Sequence, residues 1–162
     1  MKQQSWRALI WISLSEICAL SLWFSASVVA PELINFWGMT PSSEAWLTAS
    51  VPIGFVTGAF ISAYFGVADR FNPRKVFALS ALLGAICNAF LIMSDHAFIG
   101  ILLRIMTGMT LAGVYPIAVK MVSQWFPKQR GLAIGMLIAS LTLGSALPHL
   151  IKIFFVSVHW PF

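Results

Sequence analysis

The chain has 162 residues, of which 59% are hydrophobic and 9% charged, against roughly 25% charged in an ordinary soluble domain. This composition excludes a water-soluble globule, and a mean hydropathy of +0.88 equally excludes a disordered segment, which needs low hydrophobicity and high charge. A net charge of +5 invites a nucleic-acid reading, but the cations are scattered between apolar runs, as topology signals are.

A hydrocarbon slab of about 30 Å takes about 20 apolar residues per helical crossing. Apolar runs with almost no interior charge lie at 8–30, 45–67, 76–94, 97–119 and 131–153. The predicted fold is therefore all-α, a polytopic transmembrane helix bundle with five spans occupying residues 1–162. Span one follows Lys2 and Arg7. At about 23 residues it exceeds a signal-peptide core, and Pro31 directly follows Ala30, so it is read as a retained helix.

The connection 31–44 contains the turn formers Pro31, Gly38, Pro41 and Ser42. Thr40 before Pro41 offers an N-cap followed by a first-turn proline, so span two is predicted to start near Pro41. Asn72-Pro73 marks the next turn, and Ser94-Asp95-His96 a tight polar break. Trp125-Phe126-Pro127 sets aromatics at interface depth before span five. Pro52, Pro116 and Pro148 are expected to interrupt hydrogen bonding in spans two, four and five. Small residues four apart, Gly54 with Gly58, Gly131 with Gly135 and Ser140 with Gly144, predict close helix approach. Cys18 and Cys87 lie in apolar runs, act as small hydrophobes and leave the redox compartment open.

Lys and Arg concentrate in cytoplasmic loops. Here they occupy the amino-terminal tail (Lys2, Arg7), the loop after span two (Arg70, Arg74, Lys75) and the segment after span four (Lys120, Lys128, Arg130), all on one side. The opposite loops carry Glu32, Glu44 and Asp95 and no Lys or Arg. The expectation is a multi-pass integral protein of the plasma (inner) membrane with its amino terminus cytoplasmic, and with His159 and Trp160 outside.

Ionisable groups at membrane depth are the informative ones, because an uncompensated charge there costs at least about 2.5–3.5 kcal/mol. Glu16 falls about 12 Å into span one. It shares a helical stripe with Ser13, Leu20, Trp23 and Ser27, which is expected to face the bundle interior. It reads either as a proton-coupling or substrate-contacting carboxylate, or as a structural carboxylate bonded to a neighbouring helix. Arg104 falls about 10 Å below the outer surface of span four, where its stem partly snorkels, on a face with Thr107, Gly108, Leu111 and Tyr115. An always-ionised guanidinium there suits an anionic group or a carboxylate partner, Glu16 included. The substrate or coupling candidates are thus Glu16, Trp23, Arg104, Thr107 and Tyr115. Lys120 and Lys152 are expected to snorkel to headgroups, and Asn88 to bond across helices.

No nucleophile elbow, phosphate loop or metal spacing among His96, His149 and His159 is present. The sequence therefore points to no enzyme, no cofactor and no metal. The aromatics are read as lipid or interface anchors rather than nucleic-acid platforms, which leaves membrane lipid as a partner and no nucleic acid.

The loop Phe65-Gly66-Val67-Ala68-Asp69-Arg70-Phe71-Asn72-Pro73-Arg74-Lys75 resembles the loop between the second and third helices of the Major Facilitator Superfamily. The first glycine is displaced to Gly66, and Asn72 stands where glycine is usual, at a backbone position expected to be left-handed. Leu103-Arg104-Ile105-Met106-Thr107-Gly108 is similar to the arginine-glycine motif of that family's fourth helix. Trp125-Phe126-Pro127-Lys128-Gln129-Arg130-Gly131 is similar to its approach to the fifth.

The resemblance covers the first five of twelve expected helices. It implies the amino-terminal portion of a secondary active transporter of a small solute, coupled to a proton or another ion. Such a fragment is not active alone and lacks its carboxyl-terminal half. The mechanism it implies is alternating access around a site between two halves, with Gly66, Asp69, Arg70, Asn72, Arg74 and Lys75 forming a cytoplasmic latch. Asp69 just before span three is placed to cap that helix. Asp69-Arg70-x-x-Pro73-Arg74 also resembles nitrate-type members, but span two has no arginine for a small oxyanion, so nitrate is not assigned. The alternative is a nonfunctional truncated remnant, or a short membrane protein that acts by binding other helices.

Overall fold

Backbone groups in lipid must find their hydrogen bonds within the chain, and the regular structure is accordingly helical. The computed structural model describes residues 2–154, without the side chains of Lys2, Pro41, Glu44, Lys152 and Phe154; His159 and Trp160 lie outside the described residues. The helices are α1 (Lys2–Val28), α2 (Ala30–Trp37), α3 (Pro41–Tyr64), α4 (Val67–Arg70), α5 (Pro73–Phe90), α6 (Ala97–Leu111), α7 (Tyr115–Trp125) and α8 (Arg130–Phe154), with a 3₁₀ turn at Leu91–Met93. Five stretches are long and apolar enough to cross a membrane: Gln3–Val28, Ala45–Tyr64, Pro73–Met93, Ala97–Trp125 and Arg130–Ile151. The chain is a multi-pass membrane protein.

Caps set the boundaries largely as expected. The Thr40 hydroxyl accepts from the Ser43 amide at 3.4 Å, with Pro41 in the first turn of α3. Asn72 accepts from the Arg74 amide at 3.0 Å and starts α5. Its φ of −64° is not left-handed, and the positive φ of this loop belongs to Gly66 at +60°, where the absent Cβ removes the steric penalty. Asn72, not Asp69, therefore caps the third span.

Proline underlies one departure from the predicted elements and one interruption that was expected. The connection 31–44 contains the extra helix α2, because Pro31 falls in a first turn, where its missing N–H costs nothing. Span four is divided into α6 and α7. Pro116 cannot donate and its ring clashes with the carbonyl one turn back, so the chain tightens ahead of it, with Gly113 N bonding Thr110 O at 2.9 Å and Val114 N bonding Leu111 O at 3.0 Å. Pro52 and Pro148 remain inside continuous helices.

Packing follows the small residues on α3 and at the carboxyl half of α8. A Cβ on Gly58 would stand 2.5 Å from the Met109 carbonyl oxygen, and one on Gly54 would collide with the Ile105 carbonyl. These two glycines and Gly108 bring α3 and α6 into backbone contact. Gly144 brings α8 to 2.9 Å from the Ile17 carbonyl of α1 on the same measure. Gly131 and Gly135 have nothing within 4 Å of such a Cβ, so the close approach expected there is not made among the described residues.

One buried cluster joins Leu9, Ala118, Val122, Phe126, Ala133 and Leu137; a second joins Ala19, Val51, Leu111 and Val114. Phe126 is thus a core residue, edge-on to Trp6 at 5.5 Å, rather than a lipid anchor. At one end of the bundle the start of α1 meets the 120–130 segment, which in turn meets the Asp69 loop. At the other end, α2 is tied down by Leu33, packed with Ala26 and Leu91, and by Trp37 Nε1 bonding Ser94 O at 3.0 Å. The cationic loops gather at the first end, as expected from the charge pattern.

Candidate functional site

Glu16 lies near the midpoint of α1, fully buried, and neither carboxylate oxygen has a hydrogen-bond partner. The Ser13 hydroxyl oxygen, one turn earlier, is likewise buried and unpartnered. Leu9 belongs to the cluster with Ala118 and Val122, and Ala19 to the one with Leu111 and Val114. Between these clusters on α1, Glu16 is therefore level with the break that divides span four. The stripe read from the sequence is recovered for Ser13, Glu16, Leu20 and Trp23, while Ser27 is exposed.

Arg104 is 2% exposed, so its guanidinium does not snorkel. Its two terminal nitrogens donate to backbone carbonyls of α1, Nη1 to Leu22 at 3.1 Å and Nη2 to Trp23 at 2.7 Å, while Nε is buried and unpartnered. Arg104 and Glu16 do not pair, nor does Glu16 bond a neighbouring helix. Thr107 is fully buried, with its hydroxyl donated to Leu103 O at 2.9 Å. The Trp23 ring lies 5.4 Å from that of Phe55. Tyr115 is half-buried at the start of α7, separated from Arg104 by the break. Asn88 does bond across helices, accepting from Ser25 at 3.0 Å.

At the cationic end, Lys120 does not reach for headgroups. Its ammonium donates to Asp69 Oδ1 at 2.6 Å and to the Ala68 carbonyl at 2.5 Å. The Lys120 hydrogen bond, followed by its charge, holds the Asp69 carboxyl below its usual value. Sequence reasoning placed the two on the same side but missed the pairing; the signal was opposite charge in two segments at one end. Gly66 supplies the turn, while Arg70, Arg74 and Lys75 are exposed around it. Among the described residues no cluster of His, Cys, Asp or Glu suits a metal ion.

The chain is 31% identical over 127 residues to the niacin transporter NiaP of Acinetobacter baylyi, covering 72% of this chain and 28% of the relative. It is 34% identical over 125 residues to the putative niacin/nicotinamide transporter NiaP of Bacillus subtilis, covering 74% and 30%. It is 26% identical over 143 residues to the probable sulfoacetate transporter SauU of Cupriavidus necator, covering 83% and 31%. These relatives are named as transporters, not enzymes, and the chain spans about three tenths of their length. No solved structure matches the chain. The sequence profile of the Major Facilitator Superfamily matches residues 12–162, and the chain belongs to that family.

Proposed function

We propose that this chain forms the amino-terminal part of a secondary active transporter for a small organic acid, operating by alternating access, with Glu16 as its proton-coupling group. The observation that carries the proposal is the Glu16 carboxylate, buried near the middle of α1 with both oxygens unpartnered. An isolated ionised carboxylate is strongly disfavoured in such surroundings. A cycle in which Glu16 takes a proton while enclosed and releases it when the bundle opens gives the group a use that packing alone does not. Niacin and sulfoacetate, named for the relatives, both bear a carboxylate. This supports a solute whose charge is balanced by a co-transported proton.

In this reading Arg104 acts as a positioning residue, holding the Glu16 helix through Leu22 and Trp23. The Trp23 ring and Tyr115 flank the path, and Thr107 packs beneath it. The open small-residue face at Gly131 and Gly135 receives a helix of the carboxyl-terminal half. Asp69 and its basic neighbours form the latch on the cytoplasmic side of the plasma membrane. Uptake of labelled nicotinate and sulfoacetate by cells expressing the complete carrier, under an imposed proton gradient, tests the proposal. Glu16→Gln abolishes the proton-dependent component while insertion stays normal. Unchanged uptake with unchanged pH dependence removes Glu16 from the mechanism.

A further inference from the structure

At the cationic end, a groove of about 350 Å³ opens between α1, α5 and α7. We propose that it binds an anionic phospholipid, with the phosphate on Arg74 and the upper acyl chain along the floor. Its rim comes from the residues nearest the helix ends, Arg74 on α5 with its cap Asn72, and Gln124 with Trp125 on α7. Its deeper wall is formed by Ile12, Phe77 and Met121. The one polar group at depth, the Ser15 hydroxyl, already donates to the Trp11 carbonyl at 2.8 Å, so the floor offers no free donor. Arg74 to Phe77 is a rise of about 4.5 Å, so charge gives way to apolar surface over the depth at which a phospholipid changes from phosphate to chain.

Charge complementarity selects the headgroup. Arg74 makes no ion pair among the described residues, whereas Asp69, the one acid of this end among them, is occupied by Lys120. The segments of this end also carry Arg7, Arg70, Lys75, Lys128 and Arg130, none of which lines the groove. A zwitterionic lipid would bring its own cation into this field, and an anionic one would not. Trp125 at the rim fits the headgroup boundary, where indole rings concentrate. Basic pockets between spans are known to recognise such headgroups.

The test extracts the protein from its membrane in polymer-bounded discs and exchanges it into phosphatidylcholine containing a minority of phosphatidylglycerol. Retained lipid is then counted by native mass spectrometry. The expected result is enrichment of phosphatidylglycerol that falls about fivefold in Arg74→Gln, the factor one cation is worth beside an anionic bilayer. It persists in Arg74→Lys and in Lys128→Gln, whose side chain does not line the groove, and Ser15→Trp, which fills the floor, removes bound lipid of either headgroup. Equal retention of the two lipids, or enrichment untouched by both Arg74→Gln and Ser15→Trp, overturns the proposal. Displacement of the lipid by aqueous glycerol phosphate also overturns it, because it marks a site for a soluble anion.

Discussion

Arg104 is a permanent charge buried to 2% exposure that meets no acid. Its stabilisation comes from two carbonyl oxygens of another span, and hydrogen bonds to charged groups are worth about 1.5–3 kcal/mol each. Arg104→Ala is therefore expected to lower thermal stability in detergent by about 3 kcal/mol and to loosen α1 from α6. Arg104→Lys keeps a charge but not the fork, and recovers part of that loss. A variant with wild-type melting behaviour would show that the two carbonyls do not hold α1. The inward facing of Glu16 and Arg104 was legible in the sequence, because the helical period gives the face. Their surroundings were not. Arg104 is held by the backbone of Leu22 and Trp23, and a carbonyl is the same whatever side chain it carries.

At the scale of elements, hydropathy located all five spans, but not which prolines divide them. Proline reads as a turn former in 31–44 and as an interruption in spans two, four and five, yet Pro31 sits inside the first turn of a helix, and of the three span prolines Pro116 divides its helix while Pro52 and Pro148 do not. Position relative to a helix start decides between these outcomes, and that depends on tertiary anchors such as Leu33 and Trp37. Small-residue spacing was similarly half-informative: Gly54 and Gly58 meet backbone, while Gly131 and Gly135 meet nothing described. We expect Gly58→Ala to cost about 1–3 kcal/mol through overpacking against α6, and Gly131→Ala to leave the melting of the isolated chain unchanged. Thermal unfolding followed by size exclusion separates the two. The Asp69–Lys120 contact is exposed on the Asp69 side, so screening limits its worth and its role is to place the loop. Because the folded-state value of Asp69 is lowered, the contact is complete above the unfolded-state carboxyl value and is lost as pH falls through the lowered one. Amide exchange of 66–72 should accelerate over that acidic window, and Asp69→Asn should show the faster exchange at every pH.

At the scale of the molecule, the placement of charge ties the fold to its use. Packing brings the start of α1, the Asp69 loop and the 120–130 segment to one end, and α2 with the 94–96 break to the other. The Lys and Arg residues fall on the segments of the first end, apart from Lys152 near the carboxyl end of α8 and the buried Arg104. Since short basic loops stay cytoplasmic, Asn35 on α2 is expected outside and Arg70 inside. Both are exposed, and neither is close-packed. Single cysteines at these two positions, in a background where Cys18 and Cys87 are serine, distinguish the orientations. A membrane-impermeant maleimide applied to intact cells should label Asn35→Cys at once and Arg70→Cys only after permeabilisation. The reverse pattern would invert the bundle. It would put the Asp69–Lys120 contact and the lipid groove on the outer leaflet, and the proposed latch could not close on the side where the charge pattern requires it.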